Sequence, residues 1–528
     1  MTLLKLNSIN LDINGKSILK DISLEVRKGE ILAITGESGS GKSMTALSVM
    51  QLLPIGSVQN GSIFLEDTNL MSLTESELCR IRGNEIGMIF QEPMTALNPL
   101  KTIGDQIAET VKLHKAASNR DTVEIVKSTM RRVEMPPEKF PLYLYPHQLS
   151  GGQRQRVVIA MAIISKPKLL IADEPTTALD VTTQSQILTL LKGLVTDLNM
   201  GMIMITHDLA VVHNMADKIS VMNQGEIVEI GSTSTIFRTM KHPYTKMLFN
   251  ASNHKVDLPK AITTEPLLEV SNLSRDYILP KTKIFEKPRI FRAVDKVSFT
   301  LHKGERLGLV GESGCGKSTL TRALLGLEEI QEGKIKISGQ LVLKKDVDSF
   351  ASKKRMQVVF QDPFGSFNPR HKVSRLISEP LYLEKRNITN DELNNLLETT
   401  LISVGLNRDD KEKYIHEFSG GQRQRIAIAR ALIVKPEIII FDEAVSALDV
   451  SVRAQILDLI AELCRSLDLT YIFISHDLSV VRTITDKVMV MENGKIIEYG
   501  NTEKILTNPT HEYTVKLIEA APSMPSFS

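Results

Sequence analysis

Apolar residues recur along this chain at three spacings, and the order of those spacings occurs twice. Leu4 to Ile13 alternates apolar with polar, as does Asp21 to Val26, so both predict strands with one wet face. Ile31 to Thr35 is a short apolar run that predicts a buried strand. Leu169 to Asp173 is another and ends in an acid, as suits a central parallel strand covered on both faces. The second half repeats the series at Leu267 to Tyr277, Val297 to Leu301, Leu307 to Val310 and Ile438 to Asp442. Between 92 and 148, and between 362 and 417, the period becomes helical. Val123, Val126, Met130 and Val133 mark the first stretch, and Leu393, Leu396, Leu397 and Leu401 the second. Each half is therefore expected to be an α/β domain with a helical insert: residues 1–252, then a polar linker over 253–265 containing Pro259, then 266–528. A chain of 528 residues accommodates two such domains, each with its own core.

The motifs obey the same duplication. Gly36-Glu37-Ser38-Gly39-Ser40-Gly41-Lys42-Ser43 recurs as Gly311-Glu312-Ser313-Gly314-Cys315-Gly316-Lys317-Ser318, offset by 275. Ser150-Gly151-Gly152-Gln153 recurs as Ser419-Gly420-Gly421-Gln422, offset by 269. Asp173 and Asp442, and His207 and His476, keep that 269 offset. A strand followed by GxxxxGK[ST] and a helix turns backbone N–H groups into a phosphate-binding nest at a helix N-terminus. Lys42 and Lys317 would then reach the β- and γ-phosphates, and the hydroxyls of Ser43 and Ser318 would ligate magnesium. Asp173 and Asp442 end buried strands, where a bound Mg2+ would offset the desolvation of a carboxylate. Glu174 and Glu443 follow, placed to polarise an attacking water. His207 and His476 read as sensors of the γ-phosphate, because a strand-end histidine recurs in register. Gln91 and Gln361 would coordinate the metal or water while linking to the helical insert. Positioning and charge stabilisation are most of what phosphoryl transfer requires.

Composition narrows the setting. With 64 basic and 62 acidic residues the net charge is +2, which gives no global pull toward nucleic acid. No window of about 18 uninterrupted apolar residues occurs, and Met1 to Asn7 lacks the pattern of a secretory leader. The expected setting is the cytosol or the cytosolic face of a membrane. Cys79, Cys315 and Cys464 have no CxxC spacing and read as reduced thiols. Pro280 to Phe291 reads as an irregular stretch, with Lys281, Lys283, Lys287, Arg289 and the following Arg292 giving it positive charge. It serves either as a solvated loop or as a contact to membrane subunits or lipid headgroups.

Together these residues closely resemble the ABC ATPase family, in the family's motif order and over nearly the whole chain. The resemblance implies two tandem P-loop domains, each a RecA-like α/β core with an antiparallel β subdomain and a helical insert. It also implies two head-to-tail ATP sites. One would join Lys42, Ser43, Gln91, Asp173, Glu174 and His207 to Ser419–Gln422; the other would join Lys317, Ser318, Gln361, Asp442, Glu443 and His476 to Ser150–Gln153. In the family an aromatic ring lies under the adenine. Tyr277 fits that role in the second half, where its counterpart in the first is Ile13. Ala444-Val445 replaces Pro175-Thr176 and is expected to loosen the backbone beside Glu443.

Gln91 to Pro99, Gln361 to Pro369, Tyr145 to Ser150, His242-Pro-Tyr-Thr245 and His511-Glu-Tyr-Thr514 resemble bacterial oligopeptide, dipeptide and nickel importers. Fusion of two ATPases resembles the glutathione-type and microcin C-type systems. The implied partners are two integral membrane permease subunits and a periplasmic solute-binding protein, all separate chains, with no nucleic acid. The implied location is peripheral, on the cytoplasmic face of the bacterial inner membrane. A ribosome-acting tandem ATPase would instead need a long charged helical linker, and a DNA-repair relative zinc-ligand cysteines or long heptad arms. Peptide, microcin-like compound, glutathione and nickel all remain open as cargo.

The head-to-tail arrangement predicts which distant substitutions interact. In double-mutant cycles on nucleotide occlusion at the first site, Lys42→Ala with Ser419→Ala should be strongly non-additive. Lys42→Ala with Ser150→Ala should be nearer additive. The reverse ranking would contradict the arrangement.

Overall fold

The computed structural model describes the chain apart from residues 92, 115–117, 178, 260–263, 280–288, 343–352, 363–364, 385–387, 447 and 525–528. Two compact units result, one built mainly from Met1–Asn253 and the other from His254–Ala521. In the first, a six-stranded sheet runs in the order Glu226–Ser232, Lys218–Asn223, Ile31–Thr35, Gly201–Ile205, Leu169–Asp173, Ile86–Ile89. All neighbours are parallel except the first pair. The second unit repeats it as Met356–Val359, Ile438–Asp442, Thr470–Ile474, Arg306–Val310, Lys487–Glu492, Lys495–Asn501. Each unit adds a four-stranded antiparallel sheet led by a long hairpin, Thr2–Ile13 with Lys16–Arg27 and Pro266–Leu279 with Arg289–His302.

Successive residues of a strand point to opposite faces, and the two cores divide along that alternation. Leu32, Ile34, Leu169, Ile171, Ile203 and Ile205 face the hairpin sheet and the helix Lys42–Met50. Ile31, Ala33, Leu170, Ala172, Met202 and Met204 face the other side, against the helices Gly151–Ile163 and Val181–Leu198. Burial on both faces explains why these strands read as unbroken apolar runs.

Helices occupy both inserts, including Asn119–Arg132 and Asn390–Ser403. Their buried faces differ slightly from the periodic reading. Val126, Met130 and Val133 are buried, but Val123 is exposed and Thr122 takes the inward place, its hydroxyl bonded to the Ser118 carbonyl at 2.9 Å. Most of the basic stretch lies outside the described residues. Its end does not match the expected irregular loop, because Arg289, Ile290 and Phe291 pair in register with Leu279, Ile278 and Tyr277.

Nor is the boundary segment a free spacer over His254–Pro259, which packs on the second unit. Val256 and Leu258 lie against its core, and Arg465 donates to the Asp257 carbonyl at 2.8 Å. Arg306 donates to the Pro259 carbonyl and, bidentately, to Asp486 at 2.7 and 2.8 Å. The equivalent position in the first unit is Ile31, so this buried ion pair belongs to one half only. Among the described residues no helix is long and apolar enough to cross a membrane.

Arg306→Ala should destabilise the second unit by about 3 kcal/mol, the low end for breaking a buried pair, because Asp486 keeps 31% of its side chain exposed. Adding Asp486→Asn should recover part of that loss in calorimetric unfolding.

Candidate functional site

In each unit the candidate residues emerge from the carboxyl ends of neighbouring parallel strands, where open α/β sheets bind ligands. Thr35 leads into the glycine-rich loop, Asp173 into Glu174, Ile205 toward His207, and Ile89 toward Gln91. Val310, Asp442, Ile474 and Val359 lead to the corresponding residues of the second unit.

The loop is wedged against the adjoining strand. Gly36 has φ 152°, and a Cβ there would sit 2.2 Å from the Met222 carbonyl oxygen. Gly311 has φ 151°, with the same 2.2 Å approach to Met491. Only glycine fits both the conformation and the space. The Lys42 ammonium donates to the carbonyls of Gly36 and Glu37 at 2.9 and 2.8 Å. Lys317 makes the matching pair with Gly311 and Glu312 at 2.7 and 2.9 Å. Burial lowers the Lys42 pKa despite the nearby carboxylates of Glu174 and Asp173.

Glu174 and Glu443 have left-handed backbones, with φ 48° and 50°. Their N–H groups donate to the Ile205 and Ile474 carbonyls at 2.9 and 3.0 Å, and their own carbonyls accept from Thr177 and Ser446. The two turns share one conformation and one hydrogen-bond pattern, with Pro175 following Glu174 and Ala444 following Glu443.

The side chains do differ. Glu174 accepts from Gln91 Nε2 at 3.0 Å and Thr177 Oγ1 at 2.9 Å, and contacts His207 Nδ1 at 3.1 Å. Burial alone would raise its pKa; His207, Thr177 and Gln91 reverse that and bring it down to about 2. Glu443 has His476 Nδ1 at 3.6 Å, while the Ser446 hydroxyl turns to the Glu443 carbonyl at 2.9 Å. The His476 contact still holds the Glu443 carboxyl below the usual range. Burial would lower the His476 pKa, and Glu443 overrides it upward. Gln361 follows its strand as an exposed residue.

Asp173 and Asp442 are raised by burial. Asp173 Oδ1 is buried without a hydrogen-bond partner, and the Ser43 hydroxyl nearby acts against the burial that raises this carboxyl. Hydroxyl, carboxylate and amide oxygens from Ser43, Asp173 and Gln91 suit a hard cation such as magnesium. Among the described residues no three His, Cys, Asp or Glu side chains converge as a metal cage.

The Ser-Gly-Gly-Gln motifs begin helices as capping boxes. Ser150 N–H donates to Gln153 Oε1 at 2.9 Å, and Gln153 N–H to Ser150 Oγ at 3.3 Å. Ser419 and Gln422 repeat this at 3.1 and 3.4 Å. A Cβ on Gly152 would meet Thr183 at 2.3 Å, and one on Gly421 would meet Val452 at 2.4 Å. These glycines let two helix starts approach, while Ser and Gln orient the terminal N–H groups.

Ile13 and Tyr277 occupy the same register position, five residues after the left-handed Ser8 and Asn272. Arg275 covers the Tyr277 ring at 4.5 Å from its centroid, and the Tyr277 hydroxyl donates to Glu328. Sequence reasoning overlooked Thr177, whose hydroxyl role appears only in the fold. It also read Tyr244 and Tyr513 merely as marks of a subfamily, although their offset of 269 matches that of the strand-end acids.

Residues 19–177 and 294–446 match the ABC transporter family, and 228–266 and 497–526 match the oligopeptide/dipeptide transporter C-terminal region. The chain is 44% identical to the glutathione import ATP-binding protein GsiA of Salmonella paratyphi A, over 96% of its length and 86% of the relative's. It is also 44% identical to the peptidoglycan transport ATP-binding protein YejF of Agrobacterium fabrum, over 95% and 92%. Among solved structures, cbiO1 of Clostridium perfringens, part of the ABC transporter complex cbiONQ, aligns with TM-score 0.41 at 25% identity, covering 46% of this chain and 92% of that one.

Thr177→Val should remove one donor to Glu174 while keeping the backbone turn. The Glu174 carboxyl midpoint, followed by carbon-13 NMR, should rise from about 2 toward the ordinary 4.5. A depressed carboxyl contributes stability that is complete above 4.5 and is lost as pH falls toward about 2. In the variant this acid-dependent loss should be smaller and finish at a higher pH.

Proposed function

Because the chain belongs to the ABC transporter ATP-binding family, we propose that it energises uptake of peptides or peptide-like solutes through separate membrane subunits. The observation that carries this reading is a complete set of strand-end residues in both units, joined to the C-terminal regions matched by oligopeptide and dipeptide transporters. Relatives named for glutathione import and peptidoglycan transport support a small peptide-like cargo. Microcin-like solutes fall within the same chemical class.

ATP is the substrate. Backbone N–H groups within the loops Gly36–Ser43 and Gly311–Ser318, beyond those of Glu37 and Glu312, would hold its phosphates, with Lys42 and Lys317 supplying positive charge. Magnesium would be held by Ser43, Asp173 and Gln91 in the first unit and by Ser318, Asp442 and Gln361 in the second. When bound, it would neutralise negative charge on the phosphates. Glu174 and Glu443 would orient and polarise the attacking water, and His207 and His476 would fix those carboxylates and sense the γ-phosphate. Tyr277 would support the adenine of one nucleotide. Two permease subunits and a periplasmic solute-binding protein would complete the system. They would place this chain peripherally on the cytoplasmic face of the inner membrane.

Glu174→Gln with Glu443→Gln should cut hydrolysis by on the order of a hundredfold or more while leaving ATP bound. The assay uses the complex reassembled with its permeases. Wild-type turnover in that double variant would remove both glutamates from the proposed roles.

A further inference from the structure

A tyrosine from the C-terminal region of each unit reaches that unit's own phosphate loop. The Tyr244 hydroxyl oxygen accepts from the Glu37 N–H at 3.0 Å, and the Tyr513 hydroxyl oxygen accepts from the Glu312 N–H at 2.8 Å. The same peptides are held at their other end, because the Gly36 carbonyl accepts from Lys42 at 2.9 Å and the Gly311 carbonyl from Lys317 at 2.7 Å; the Glu37 and Glu312 carbonyls accept from the same lysines. Each loop therefore begins with a residue whose donor and acceptor are both occupied by side chains. A lysine that turns to a phosphate gives up its carbonyl contacts; the tyrosine remains.

Both tyrosines are placed by duplicated local structure. Tyr244 lies on the helix Pro243–Ser252, where the His242 ring accepts from the Tyr244 N–H at 3.2 Å. The backbones of Lys241 and His242 donate to the Glu229 carboxylate at 2.9 and 3.1 Å, which ties that helix start to a strand of the main sheet. Thr245, Leu248 and Phe249 anchor its underside, with Phe249 edge-on to Phe237 at 4.5 Å. Tyr513 lies on the helix Glu512–Ala520, with His511 capping its N–H at 3.2 Å and Thr510 bonded to Glu498 at 2.8 Å. Both tyrosines fall within the segments matched by the transporter C-terminal region. Burial pushes the Tyr244 phenol up to about 12 and the Tyr513 phenol higher still, so both stay neutral.

We infer that Tyr244 and Tyr513 are positioning residues that preset the first peptide of each phosphate loop for nucleotide, coupling the C-terminal region to the ATP site of its own unit. The inference rests on the reading of Gly36–Ser43 and Gly311–Ser318 as phosphate loops. A loop fixed in advance does not lose that peptide's freedom on binding. Fixing one residue's backbone corresponds to roughly a five- to thirtyfold change in dissociation constant.

The test is calorimetric titration of the full chain with MgADP. Tyr244→Phe, which removes only the hydroxyl, should weaken one of the two sites roughly five- to thirtyfold, and Tyr513→Phe the other. In the reassembled transporter, KM for ATP should rise while kcat at saturation holds. Phe249→Leu loosens the packing of the same helix and keeps the hydroxyl. It should lower the melting temperature and leave MgADP affinity unchanged. Wild-type affinity in both tyrosine variants, with binding lost in Lys42→Ala, would overturn the inference and spare the phosphate-loop reading. Unchanged binding in Lys42→Ala would overturn the reading itself. Equal weakening by Phe249→Leu and Tyr244→Phe would reduce the tyrosine to ordinary packing and also overturn the inference.

Discussion

A loop that binds phosphate with its backbone must keep its N–H groups free for the ligand while the rest of the loop is held by other means. Here the neighbouring strand provides one restraint. Gly36 and Gly311 lie so close to the carbonyls of Met222 and Met491 that no side chain fits between them. The loop lysines provide another by closing onto the carbonyls at the loop's start. The sheet order follows from the same requirement, because the strands ending at Thr35 and Val310 must each lie beside the strand that supplies the histidine.

Around that loop, buried acids do two kinds of work. Asp173 and Asp442 end buried strands with few partners, so desolvation raises them and makes each receptive to a cation. Glu174 and Glu443, one residue later, turn out of the strand in a left-handed conformation and meet histidine. Adjacent carboxyls thus acquire opposite pKa shifts from one turn of backbone. This separation fits the roles proposed for them, metal binding for one acid and orienting water for the other.

The two copies share a backbone and differ in side chains. Thr177 bonds to the Glu174 carboxylate, whereas Ser446 bonds to the Glu443 main chain. Arg306 pairs with Asp486 where the first unit has Ile31. Tyr277 faces Arg275 where the first unit has Ile13. Duplication preserved the parts that any phosphate-loop sheet requires, and divergence entered where a side chain can change without moving the backbone.

Sequence alone determined the duplication, the α/β class, the strand-end acids and histidines, and the glycine-rich loops. Each is written in local spacing: alternation for half-buried strands, unbroken apolar runs for central ones, glycine where the backbone turns left-handed. The tertiary structure decided which groups meet. Glu37 and Tyr244 are 207 positions apart, and Gln91 and Glu174 are 83. No periodicity encodes such contacts, because they depend on sheet order and on where each helix starts. The inward place of Thr122, the packing of His254–Pro259 and the strand at Arg289–Phe291 follow the same rule. Local pattern shows that a segment is amphipathic or polar, and the packed neighbours determine which face is covered and which hydrogen bonds are completed.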